Sequence, residues 1–396
     1  MQSFIDGLIA SGVFGGLPAE AVYPAMMFLF ASLVVFGFVL PLVTITIWFE
    51  RRVWSRIQSR VGPNRVGPQG VLQGLADGVK NILKEDVVPD AADRPLFVFA
   101  PYLLVWGFLA TFVVIPFSSA LVIADLNVGI LYIVAIVALS AVGVLMAGWA
   151  SNNKWSLLGG IRSAAQVVSY EIPAGLALLP VVLLTGTLST QGIIQAQGWA
   201  PWDWFLFHSP FTFIAAFAFY ISALAETNRT PFDIPEAESE LVAGFATEYS
   251  GFRFALFFLA EWGSLYVTGA IMAVLFLGGW QIPTGWTNNA VVLNIAQLTV
   301  FFLKAYFWVF LAMWIRATLP RIRVDQMMSL CWKYLVPLGF VNLVGTAVWM
   351  VIWPEGNAFV PYLMVIGTLA LLVIFFRRVL YHLRRAKPEL YFNPAI

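Results

Sequence analysis

Apolar residues in this chain come in long unbroken runs separated by polar connections. Runs of about 20 apolar residues, enough to cross the hydrocarbon of a bilayer, fall at 23–49, 96–119, 127–150, 166–186, 205–226, 253–278, 292–316, 334–353 and 359–380. The pattern predicts nine transmembrane helices, and so an all-α polytopic membrane protein with a single transmembrane domain over residues 1–396. Two connections on the same side are long, at 50–95 and 226–252, and an extra C-terminal helix is expected over 359–385. A different period lies inside the first long connection. Between Gln69 and Glu85, Val71, Leu72, Leu75, Val79, Ile82 and Leu83 recur at helical spacing, while Gln73, Asp77, Lys80, Asn81 and Lys84 form another face. This predicts an amphipathic helix, either lying along the membrane interface or simply packed on its own loop. Gly70, Gly74 and Gly78 flatten one side of it, which admits a neighbouring helix or a flat lipid-like ligand. The preceding turn, GPNRVGP at 62–68, fixes two prolines and two glycines in seven positions and suits a held backbone.

Charge orients these elements. Of the 22 Lys and Arg residues, 21 fall in the connections after the first, third, fifth and seventh runs, at their edges, or in the C-terminal tail. The intervening connections carry none, so the positive-inside rule predicts an outer N-terminus, an inner C-terminus and inward-facing long loops. The start, MQSFIDGLIASGVFGGLP, lacks the basic residues of a signal peptide and is read as a retained outer-face segment. The exception among the cations is Lys304, 12 residues before Arg316 and so roughly 18 Å from the inner end of its helix. At that depth a lysine needs a carboxylate, a water path or the loss of its proton.

The second long loop, AETNRTPFDIPEAESELVAGFATEYSG at 225–251, sets Glu226, Asp233, Glu236, Glu238, Glu240 and Glu248 around a single Arg229. Only 11% of the chain is charged. The loop is therefore either a solvated acidic surface or a working cluster whose crowding leaves at least one carboxyl protonated near neutral pH. Glu171 and Glu261 lie nine and eight residues beyond Arg162 and Arg253, on the order of 12–14 Å into their helices. With Glu226 they predict a stepped series of carboxylates leading from the loop, with Lys304 deeper still. Such a set can hold and pass protons, unless each glutamate only pairs with an arginine or backbone donor for packing.

Composition narrows the chemistry. At 60% hydrophobic residues and a mean hydropathy of +0.84, the chain has more apolar surface than a soluble core could bury. A net charge of +1 gives no argument for nucleic acid. The lone Cys331 cannot build an iron–sulfur cluster or disulfide within the chain, and His208 and His382 are predicted near opposite faces, where they cannot jointly ligate a haem. No phosphate loop or glycine fingerprint is present. The expectation is a chain that binds no nucleotide, metal or haem by itself.

Five stretches, GPNRVGPQGVLQGLADGVKNILKED (62–86), SAAQVVSYEIP (163–173), the acidic loop (225–251), FALFFLAEW (254–262) and RATLPRIRVDQMMSLCWK (316–333), resemble in order those of subunit 1, also called the H subunit, of respiratory complex I, the proton-pumping NADH:quinone oxidoreductase. The resemblance implies a component that anchors the peripheral redox arm to the membrane arm and forms much of the quinone chamber. It also implies the start of a charged, hydrated path toward antiporter-like subunits. The substrate would be a quinone such as ubiquinone, with FMN and the iron–sulfur clusters held by partner subunits, in a bacterial inner membrane with a periplasmic N-terminus and a cytoplasmic C-terminus. Glu171, Glu226, Asp233, Glu236, Glu238, Glu240, Glu248 and Glu261 match acidic positions of the family, and Lys304 falls at a family position. Arg51 and Arg316 match arginines near the quinone entrance; Asp77 and Arg229 match as well, and Arg60, Arg65 and Phe232 complete the expected chamber. Val61 departs from the pattern, since many members have a basic residue before Gly62, and Arg65 is often apolar elsewhere. Mitochondrial members end after an eighth span, so 359–380 resembles a bacterial-type extension. Two other classes share some of these features: the membrane subunit of a related membrane-bound hydrogenase, and a free-standing proton or cation transporter.

Overall fold

The computed structural model describes residues 35–235, 238–283, 285, 289–354, 357 and 359–385. The predicted outer-face segment and the start of the first span lie outside the described residues, as do Glu236 and the side chain of Glu238. The described elements are helical, with no strand among them. They are α1 (Leu40–Ile57, continuing a π turn at Val35–Val39), α2 (Gln73–Leu83), α3 (Arg94–Thr111), α4 (Gly129–Ala150), α5 (Lys154–Thr185), α6 (Thr190–Gln195) and α7 (Phe205–His208). The second half comprises α8 (Pro210–Glu226), α9 (Glu238–Leu241), α10 (Gly251–Phe276), α11 (Ala290–Thr318), α12 (Val324–Ser329), α13 (Val336–Ile352, joined to α12 by a π turn at Leu330–Leu335) and α14 (Phe359–Arg385). Seven described segments are long and apolar enough to cross a membrane, and α8 is a shorter apolar helix. The chain is an all-α polytopic membrane protein.

Helix α10 is the pillar. Its 26 residues are buried from Leu265 to Phe276 without a break, and it packs on α11, α3, α2 and α1. Small residues allow these approaches, since helices in a bilayer gain little from apolar burial and much from close contact. A side chain at Gly269 would strike the Ala305 carbonyl of α11 at 2.6 Å, and one at Gly263 would strike the ring of Phe108 of α3. Helix α14 is the opposite case, with none of its span buried.

Several boundaries differ from the hydropathy reading, among them the end of α1, at Ile57 rather than 49. Helix α5 starts at Lys154 rather than 166, because Asn153 caps it by accepting the Trp155 N–H at 3.0 Å, and the amphipathic turns around Arg162 continue into the apolar run. Helix α3 stops at Thr111, short of 119. The chain then turns through Pro116 and Ser118, whose Oγ accepts the N–H groups of Ala120 and Leu121. The span predicted at 205–226 is broken into α7 and α8, because Ser209 and Thr212 form a capping box around Pro210 at the first turn of α8.

Candidate functional site

The last turns of α1, WFERRVWSR, place three consecutive charged residues about 100° apart around the helix, so each meets a different neighbour. Arg51 reaches out to Asp77 of α2 at 2.6 Å. Arg52 donates to the Gln69 carbonyl at 2.5 Å, and Trp48 Nε1 donates to the same oxygen at 3.1 Å. That carbonyl is presented by a turn with positive φ at Gly67, Gln69 and Gly70, so the rigid turn predicted at 62–68 is tied to α1. Arg60 is exposed and bonds Gln58 at 2.7 Å, and Arg65 is exposed at the tip of the turn. The glycine stripe of α2 is used unequally: Gly74 lies on Thr44 of α1, while nothing lies within 4 Å of a side chain built at Gly78. The outward face, with Leu75, Val79, Ile82 and Leu83, is exposed.

Glu50, between those contacts, turns into the bundle and is 4% exposed. Arg229, 2% exposed, donates Nη1 to both Glu50 oxygens at 3.0 and 2.9 Å. Its Nε lies 2.7 Å from Glu261 Oε1, an ion pair whose N–H is not aligned on the oxygen, and its guanidinium covers the Trp262 ring at 4.1 Å. Arg316 donates to Glu50 at 2.7 Å and stacks over Trp54 at 4.9 Å. Two arginines and two glutamates thus form one set, Glu50 and Arg229 buried and Glu261 and Arg316 partly so, whose opposite charges offset the cost of burial. The hydropathy reading overlooked Glu50 because it closes an apolar run. An acid immediately before two arginines, WFERR, was the available signal.

The acidic loop is fastened rather than free. Gln166 of α5, fully buried, donates Nε2 to the carbonyls of Ala225 and Phe232 at 2.7 and 2.8 Å. Phe232 is itself buried against Tyr170, with ring centroids 5.5 Å apart. Asp233 lies within electrostatic reach of Glu261. Glu248 accepts a hydrogen bond from Asn153 at 2.5 Å. Glu240 pairs with Arg162 at 2.7 Å and Arg321 at 2.8 Å. The expectation that Arg229 alone counters this loop is therefore corrected: cations about 80 residues away in sequence fold onto it. The Arg162 hydrogen bond, with the charges of Arg321 and Arg162, holds the Glu240 carboxyl below the usual range, so this residue is not the protonated member that crowding predicted.

Beyond the loop, two cavities meet at Glu226, the last residue of α8. One, of about 80 Å³, is lined by Glu226 and Glu261 with Thr111, Thr227, Asn228 and Ser264 among its polar walls. The other, of about 30 Å³, joins Glu226 to Glu171 and is otherwise apolar. The first has room for several waters and the second for one or two. Glu171 Oε1 is enclosed and finds no hydrogen-bond partner among the described residues. Glu226 therefore stands between Glu261, which is bound to the arginine set, and Glu171.

Lys304 does not extend this series. Its Nζ donates to the Leu277 carbonyl at 2.6 Å and lies 4.8 Å from the Trp204 ring centroid. Leu277 is the C-cap of α10, 16 residues and so about 24 Å along the helix from Glu261. The negative end of a helix and an aromatic face supply what a carboxylate would have supplied.

A family profile described as NADH dehydrogenase matches residues 30–347. The NADH-quinone oxidoreductase H subunit of Anaeromyxobacter dehalogenans (strain 2CP-C) is 52% identical over 361 residues, covering 88% of this chain and 86% of that protein. The corresponding protein of Chlorobium luteolum (strain DSM 273 / BCRC 81028 / 2530) is 49% identical over 79% of this chain and 86% of its own length. That of Chlorobaculum tepidum (strain ATCC 49652 / DSM 12025 / NBRC 103806 / TLS) is 47% identical over 83% and 94% respectively. On this similarity, the chain belongs to the NADH dehydrogenase family that includes the H subunits of bacterial NADH-quinone oxidoreductases.

Proposed function

We propose that this chain, a multi-pass membrane subunit of an NADH:quinone oxidoreductase of the complex I type, forms the access chamber for quinone and couples its reduction to proton translocation. The observation that carries the reading is the continuity from the Arg229–Glu50–Arg316–Glu261 set, through Glu226, to Glu171 by way of two cavities with room for water. The chamber lies where α1, α2 and the turn at 62–68 meet the acidic loop. There Arg51, Asp77, Arg60 and Arg65 offer charge at the mouth, and Arg229 and Arg316 offer it within. Quinone reduction consumes two protons and changes the charge of its surroundings. The arginine set passes that change to Glu261, and the carboxylates respond by shifting protons. Asp233, Glu236, Glu238, Glu240 and Glu248 belong to the loop that responds with them. Lys304, at the far end of α10, acts on the same helix as an anchor. The redox groups, FMN and iron–sulfur clusters, reside in partner subunits of the peripheral arm, and antiporter-like membrane subunits receive the signal. The long loops face the cytoplasm of a bacterial inner membrane, with the N-terminus periplasmic.

The test is the pair Glu171→Gln and Glu261→Gln in the assembled complex, since Gln keeps the shape and loses the exchangeable proton. Both are expected to lower NADH:quinone turnover and proton pumping while the complex still migrates intact on a native gel. Normal turnover and pumping in both would leave these glutamates a packing role only.

A further inference from the structure

A groove of about 440 Å³ runs between α1 and α11, lined by Phe49, Arg52, Val53, Arg56, Ile57, Phe310 and Trp314. Its volume is in the range of ligand clefts, roughly 300–1,000 Å³. The floor is aromatic and continuous: Phe49 meets Phe310 at 6.2 Å, Phe310 meets Trp314 at 6.0 Å, and Trp314 meets Phe375 of α14 at 6.0 Å. The rim is basic. Arg52 has one arm on the Gln69 carbonyl and lies 5.7 Å from the Trp48 ring centroid, while its enclosed Nε has no hydrogen-bond partner among the described residues. Arg56 is exposed, and Arg377 and Arg378 follow Phe375 on α14. No acidic residue lines the groove.

We infer that this groove binds one anionic glycerophospholipid, its phosphate held by Arg52 and Arg56 and an acyl chain lying along Phe49, Val53, Phe310 and Trp314. The chemistry at each end fixes the occupant. Guanidinium groups pair with phosphate through parallel N–H donors, and the groove sits at the bundle's basic end, where headgroups meet a membrane protein. Below that rim the lining is apolar. A lipid without phosphate would leave the arginines unmatched, a zwitterionic one would bring its own cation beside them, and an acidic peptide would gain nothing from the aromatic floor. Helix α14 backs the groove through Phe375 and lies beyond the family match, which ends at residue 347. The ninth helix thereby acquires a role, shielding the bound acyl chain from the bulk bilayer.

The assembled complex, washed exhaustively in mild detergent, is re-exposed to phosphatidylglycerol or phosphatidylcholine, and retained phospholipid per complex is counted by native mass spectrometry. The parental complex is expected to retain at least five times more phosphatidylglycerol than phosphatidylcholine at this site. Arg56→Gln, which removes a rim charge, and Val53→Trp, which fills the floor, should each lower that retention at least fivefold, with migration on a native gel unchanged. Equal retention of the two lipids by the parental complex, or undiminished phosphatidylglycerol in both variants, overturns the inference. So does loss of co-purified quinone in place of phospholipid, or a cross-link from the Ile57→Cys variant to a neighbouring subunit, which would show the groove filled by protein. Because Arg56→Gln changes one exposed side chain, its phosphatidylglycerol retention relative to the parent decides the matter even if Val53→Trp fails to assemble.

Discussion

Glu50 and Glu240 each hold two arginines, and the consequences differ because one pair is enclosed and the other is wet. Glu50→Gln would remove the buried carboxylate that Arg229 and Arg316 share, breaking both of its ion pairs. Breaking a buried pair in this way costs about 3–5 kcal/mol. The expected result is a sharply lower temperature of thermal inactivation for the assembled enzyme, whereas Glu240→Gln, with a side chain 50% exposed, shifts it little. Glu240 has its own signature in pH. Because its carboxyl is held below the ordinary glutamate value of about 4.3, its contribution is complete above that value and is lost as pH falls through the depressed one. Docking of residues 238–250 should thus hold between about pH 8 and pH 5 and loosen only below about pH 4. Glu240→Gln should abolish that acid step, which limited proteolysis of the loop by an acid-active protease would detect. A loop that loosens near neutral pH in the parental protein would contradict the assignment.

Helix α2 shows how an element can be read from sequence and still be placed only by structure. Its amphipathic face and glycine stripe were visible in the spacing, yet the three glycines do different work. At Gly74 even a Cβ would come within 2.7 Å of Thr44 Cγ2, while Gly78 is open. Gly74→Val should lift α2 from α1, strain the Arg51–Asp77 pair and raise the apparent KM for quinone several-fold. Gly78→Ala should leave it unchanged, with a small gain in helix propensity. Equal effects would mean that the stripe acts as a unit. The other elements divide along the same physical line. Hydropathy found the bundle because lipid imposes long apolar runs, but it misplaced the start of α5 and the break before α8, which depend on the side chains of Asn153 and Ser209. It counted Arg229 as alone and Lys304 as part of the carboxylate series because partners such as Arg162, Arg321 and the Leu277 carbonyl are brought by tertiary folding, which no local window contains.

Over the whole molecule, the arrangement divides into a basic end where charge is concentrated and a far end where the Lys304 contact closes α10. Between them, α10 carries Glu261 on one side of the larger cavity and α8 ends on the other at Glu226, the single carboxylate common to both cavities. If protons pass between the arginine set and Glu171, they pass at Glu226. A proton path through two water spaces is as conductive as its shared member, so neutralising that member should cost more than changing the exposed loop. The decisive measurement is proton translocation by vesicles containing the assembled Glu226→Gln complex during NADH:quinone turnover, alongside electron transfer from NADH to an artificial acceptor. Quinone turnover and its associated proton translocation are predicted to fall together by more than tenfold, about 1.4 kcal/mol in barrier, while transfer to the artificial acceptor is preserved. Parental turnover with parental proton translocation in Glu226→Gln would contradict a path through this residue.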